Sequence, residues 1–152
     1  MNRNWKSVVA GGVVALGGSF LVWGSLTSQA LADKADLQVY SVTCTNAATQ
    51  GSQVTVVDVT TNAAMEGAAV GSTTYIYLCT NLTSYGLTPI LNHAVPALAA
   101  GSTYTCTSNV SIPSTQTLGT NRFIVVANAT GSVSESKKGD NTNTAIIVIS
   151  AQ

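Results

Sequence analysis

From Asp36 onward, Val, Thr, Ile and Tyr come in short runs, and each run is cut off by a cluster of Gly, Asn, Ser, Ala or Pro. No other feature limits the fold as strongly. β-branched side chains are stiff at χ1 and suit a pleated surface, and runs this short cannot hold the several turns a stable helix needs. The region therefore reads as strand, turn, strand throughout. Residues 37–42, 54–60 and 73–78 give three strands, with a turn at 49–52 and a loop at 62–67. Residues 81–89 read as loop, and 90–98 as a short edge strand broken by Pro96, which cannot donate to a ladder. The turn Ala99-Ala100-Gly101 leads into 102–112, where Tyr104, Cys106, Val110 and Ile112 share a face. Residues 123–129 and 145–150 complete a set of seven strands. Seven strands at turn-punctuated spacing predict an all-β fold, a two-sheet antiparallel sandwich.

Composition removes several classes of function. Charged residues are only 8% of the chain, against roughly 25% in an average domain. An apolar content of 45% is nevertheless enough for a core, so the chain is not of the disordered type. Beyond residue 32 the bases Lys34, Arg122, Lys137 and Lys138 face six acids, Asp33, Asp36, Asp58, Glu66, Glu135 and Asp140, a formal charge of −2. No basic patch exists to neutralise phosphates, so nucleic acid is not an expected partner.

Residues 1–32 are of another kind. Arg3 and Lys6 precede an uncharged stretch over 7–32, apolar for about 19 residues from Val8. That length matches the ~20 residues of a membrane span and exceeds the ~7–15 of a signal-peptide core. Trp5 and Trp23 bracket it. As a helix at ~1.5 Å per residue they would stand about 27 Å apart, near the thickness of the hydrocarbon layer. Ser7, Gly11, Ala15 and Ser19 recur every fourth residue, a small-residue stripe that admits a second helix at close range. The expectation is a membrane helix with its basic end in the cytoplasm and residues 33–152 outside. Ala30-Leu31-Ala32 also suits signal peptidase, so the alternative is a cleaved peptide and a secreted domain starting at Asp33.

The candidate sites are sparse. His93 is the only histidine, without a G-x-S-x-G sequence or a neighbouring acid, and reads as a solvated loop residue. The cysteines lack C-x-x-C spacing, so no catalytic residue, metal site or cofactor is expected. Glu135, Asp140, Asn141 and Asn143 offer oxygens of the Ca²⁺-binding kind, but without an EF-hand pattern they read as turn chemistry closing the last hairpin. Asp58 interrupts a valine-rich strand. Strict alternation with Val54 and Val56 would bury it, so a bulge that turns Val57 and Val59 inward is expected. Cys44, Cys79 and Cys106 are candidates for a disulfide outside the cytoplasm, with the pairing open and one thiol left over. Asn81, Asn109 and Asn128 begin glycosylation sequons. The last strand, Ile146-Ile147-Val148-Ile149, is apolar on both faces, which points either to cover by a neighbouring loop or to a partner-facing side carrying Ile147 and Ile149.

Three stretches carry a family likeness: Asp36-Leu37-Gln38-Val39, Val95-Pro96-Ala97-Leu98-Ala99-Ala100-Gly101, and 131–136 (Gly-Ser-Val-Ser-Glu-Ser) through Asn141-Thr142. In these the chain resembles the CARDB family, immunoglobulin-like modules of bacterial and archaeal surface proteins linked by name to cell adhesion. The resemblance covers most of residues 36–150, and implies an immunoglobulin-like sandwich. Three cysteines are not part of the usual pattern, and the pattern is present once rather than as repeats. The expected function is non-enzymatic: a membrane-anchored extracytoplasmic domain serving as a structural or accessory subunit of a larger assembly. The alternative is a secreted adhesion module or filament subunit. The expected partners are the membrane and other protein subunits, met through the helix and an apolar strand face, with self-association as a further option.

Overall fold

The computed structural model describes residues 34–65, 67–82 and 88–152, all within the unit Leu31–Gln152. The expected membrane helix, with Trp5, Trp23, Ser7, Gly11, Ala15 and Ser19, lies outside the described residues. The described chain is all-β. Its strands are β1 (Leu37–Cys44), β2 (Ala47–Thr49), β3 (Gln53–Asn62), β4 (Ser72–Cys79), β5 (Leu91–Val95), β6 (Thr103–Ser111), β7 (Gly119–Val126) and β8 (Thr142–Ser150). They form two sheets, one ordered β1-β3-β6 and the other β2-β8-β7-β4-β5.

The strand count is therefore eight among the described residues, not seven, and the sandwich is not wholly antiparallel. The extra strand, β2, runs parallel to β8, with Ala47 opposite Val148. Three residues are too few to display a period of two, and two of them are alanines, which are poor strand formers. Strand β7 starts four residues earlier than expected and stops at Val126. Beyond it Asn128 takes a positive φ of 46°, the only described non-glycine residue to do so. A left-handed residue cannot continue a strand, and asparagine tolerates that region better than most. Pro96 ends β5 at the residue before it, as the missing N–H requires. Gly101, at φ 72°, makes the turn into β6.

The bulge expected at Asp58 is in the neighbouring strand instead. The pairing of β1 with β3 is continuous along β3 but slips between Val39 and Ser41, so Tyr40 is the extra residue. Leu37 and Val39 point inward before the slip, and Val42 and Cys44 pack on the core after it. The side-chain amide of Asn143 donates to the carbonyls of Val39 and Tyr40, at 3.1 and 3.2 Å. It thereby satisfies main-chain groups at the irregularity. Because β3 itself keeps strict alternation, Val54, Val56 and Asp58 all face inward, and Asp58 is 0% exposed.

The interior holds two apolar clusters. The larger joins Val39, Val54, Val56, Val110 and Ile112 of one side to Ile76, Phe123, Val125, Ile147 and Ile149 of the other. The smaller holds Ala35, Leu37, Ala69, Val95, Leu98 and Val133, with Tyr104 against it.

Candidate functional site

A belt of polar side chains separates those two clusters, and four strands each contribute to it at the same level. Along β3 the sequence of inward residues is Val54, Val56, then Asp58 and Thr60. Along β6 it is Val110, then Ser108 and Cys106, then Tyr104. On β4, Thr74 and Ser72 follow Ile76, and on β5 His93 sits between Leu91 and Val95. Asp58, Thr60 and Thr74 are fully buried.

His93 is not a solvated loop residue. It lies on β5 opposite Thr74, its side chain is 12% exposed, and its Nε2 stands 3.1 Å from Asp58 Oδ1 on the facing sheet. The acid partner is 35 residues away in the sequence, so no local motif could display it. The Asp58 hydrogen bond raises the His93 pKa above its ordinary value, burial opposes that rise, and the Asp58 charge adds to it. Cys106 is paired with Asp58 across β3 and β6. Its Sγ lies 3.6 Å from Ser108 Oγ. Strand parity did predict the inward side for Cys106. Strict alternation likewise predicted burial of Asp58, and taking that literally, rather than relieving it with a bulge, would have required a buried partner such as the lone histidine.

A second polar centre is Glu135, also buried. Its carboxylate accepts from the Leu37 backbone N–H at 3.2 Å, from the Asn141 amide at 3.0 and 2.9 Å, and from the Asn128 amide. Asn128 in turn is held by Val133, whose carbonyl it meets at 2.8 Å and whose N–H donates to its Oδ1 at 3.1 Å. The expected turn chemistry is thus only half the account: Glu135 closes the β7–β8 connection through Asn128 and Asn141 and also ties it to the start of β1. Its oxygens are taken up by protein N–H donors. Asp140 pairs instead with the exposed Lys137 at 2.7 Å. Asn128 is buried with its side chain committed to this network, whereas Asn81 and Asn109, which begin the other sequons, are exposed.

The partner-facing strand assignment is corrected by burial. Ile147 and Ile149, at 0% and 2% exposure, are core residues packed with Phe123 and Val125. The residues of β8 that face out are Ile146 and Val148, 51% and 46% exposed. Parity places them on the outer face of the five-stranded sheet next to Arg122 and Thr120 of β7, with Tyr75 and Tyr77 of β4 farther along that face beside Val126 and the fully buried Ile124. The two tyrosine rings meet edge to face at 6.2 Å. Cys44, Cys79 and Cys106 are all free thiols. Burial pushes the Cys44 and Cys79 thiols up, away from the reactive thiolate form.

The family model CARDB matches residues 34–145. The CARDB domain of a Pyrococcus furiosus protein, solved in complex with di-metal ions, superposes with a TM-score of 0.61 at 15% identity, covering 79% of this chain and 97% of that one. Its solution structure gives a TM-score of 0.57 at 13% identity, covering 77% and 96%. A domain of a protein named as a cell surface protein from Methanosarcina acetivorans gives 0.56 at 14% identity, covering 77% and 93%. Among curated proteins none matches the chain.

Proposed function

This chain belongs to the CARDB family, and we propose that it is a membrane-anchored surface module, a structural subunit that meets another protein through the outer face of its five-stranded sheet. CARDB is a surface-associated, adhesion-related family of domains, non-catalytic and immunoglobulin-like. The observation that carries the contact is the exposure of Ile146 and Val148 on one sheet face, next to Arg122 and Thr120 of β7, with Tyr75 and Tyr77 of β4 farther along it. Apolar side chains clustered on a sheet face gain from being covered, whereas singly scattered ones need no explanation. Tyr is also among the residues enriched where proteins meet. Anchoring rests on the 19-residue apolar stretch bracketed by Trp5 and Trp23, with Gly11 and Ala15 as the helix-packing side. A secreted adhesion module is the second reading, favoured by Ala30-Leu31-Ala32.

The test replaces Ile146 and Val148 together with Lys. Both side chains point away from the core, so the melting temperature should hardly change, in keeping with surface substitutions of about ±0.5 kcal/mol. The assembly extracted in mild detergent should fall to the size of a single chain by sedimentation. Gly11→Leu with Ala15→Leu should have the same effect, and Val9→Leu with Val13→Leu should not. An assembly of unchanged size in the Lys variant removes the sheet face from the account.

A further inference from the structure

We infer that Asp58, His93 and Cys106 form a binding site for a divalent d-block cation of the zinc type. The inference stands apart from the anchoring and contact reading above.

The carboxylate, imidazole and thiol offer ligand atoms that all lie within 4.8 Å of one another. A tetrahedral ion with bonds of about 2.0–2.3 Å requires its ligand atoms to stand roughly 3.3–3.8 Å apart. His93 Nε2 and Asp58 Oδ1, at 3.1 Å, are already near that spacing. Closing the third side requires side-chain movement of about an ångström and no change of strand register. Asp58 and Cys106 are a directly paired cross-strand couple. His93 comes from the facing sheet. The ion would therefore join the two sheets at the level where neither apolar cluster does.

Asp58 supplies the independent observation. The residue is 0% exposed, one oxygen meets His93, and the other, Oδ2, has no hydrogen-bond partner and no access to solvent. A buried carboxylate with one imidazole partner and a bare oxygen is poorly compensated. A cation bound by that carboxylate removes the deficit. The Oγ1 atoms of Thr60 and Thr74 are also buried and unpartnered in the same belt. A water on the ion's fourth position would find them as neighbours.

The donor set selects the ion class. Calcium and magnesium take six or more oxygens, which this site does not offer. One thiolate, one imidazole and one carboxylate match zinc, with a fourth position open. Entry is from the edge between β5 and β6, where the His93 side chain is 12% exposed and Cys106 half-buried. Binding sends the thiol proton to solvent and displaces the proton on Nε2, which moves to Nδ1 when His93 starts as neutral imidazole and leaves to solvent when it starts as imidazolium.

The experiment uses the full chain in detergent, stripped with a chelator under reducing conditions and titrated with Zn²⁺ and with Co²⁺. The expected result is one equivalent bound, a thiolate-to-cobalt charge-transfer band, and a higher melting temperature with metal. Loss of a group that only orients a metal ligand typically costs about 10–100-fold in affinity, so loss of a ligand itself, in Cys106→Ser or His93→Gln, should weaken Zn²⁺ binding by ~100-fold or more. Cys44→Ser and Cys79→Ser should leave it unchanged. If Cys106→Ser does not fold without metal, His93→Gln and the cobalt band of the unmodified chain decide the matter. Absence of that band, or full affinity in His93→Gln, overturns the inference.

Discussion

Glu135→Gln should destabilise the domain by about 3 kcal/mol, although the side chain keeps its size. Three N–H groups, from Leu37, Asn128 and Asn141, converge on the two carboxylate oxygens. A carboxylate is an acceptor on both sides, whereas a primary amide presents one oxygen and one NH₂. Whichever way the amide is turned, its NH₂ faces either the Leu37 N–H or the Asn128 amide. A buried donor left unmet costs about 1–3 kcal/mol, and the remaining bonds lose their charge assistance. For a domain of this size the melting temperature should drop by roughly 10–15 °C. The urea midpoint should fall with an unchanged slope. Asp140→Asn, which weakens only the exposed pair with Lys137, should cost less than about 1 kcal/mol. If Glu135→Gln melts with the unmodified chain, the tie between β1 and the β7–β8 connection is not held by that carboxylate.

Ile147→Ala and Ile146→Ala, one residue apart, should differ by several kcal/mol. Ile147 is fully buried among Phe123, Val125 and Ile149, and truncation leaves a cavity that rigid strands from two sheets cannot close. Ile-to-Ala changes in cores cost about 2–5 kcal/mol. Ile146, on the other face and half exposed, should lose no more than about 0.5 kcal/mol. Denaturant titration of both variants reads the difference directly. A larger loss in Ile146→Ala than in Ile147→Ala would mean that β8 is turned over relative to β7, and equal effects would mean that both of its faces are covered alike.

The strand run from Leu37 to Ser150 was legible because its signal is local: β-branched runs and turn residues are visible within a window of ten. The same holds for the inward side of Cys106 and for the break at Pro96. What was not legible needed contacts between distant residues. Ile146 through Ile149 are apolar at every position, so their pattern carries no parity, and only pairing with Asn121 and Arg122 shows which side is core. β2 is too short to carry a pattern at all. Asp58 was legible in position but not in consequence, since its histidine is 35 residues away on the other sheet. Glu135 is 98 residues from the Leu37 N–H that it accepts. The polar belt, assembled from β3, β4, β5 and β6, exists only once both sheets are stacked.

The anchored-module account is tested most directly by the intact mass of the chain recovered from salt-washed membranes of the cells that make it. The account predicts a membrane-bound chain whose mass includes residues 1–32, with Trp5 and Trp23 still attached. A chain that begins at Asp33 and is recovered in the soluble fraction would contradict it, and would leave the secreted adhesion module in its place.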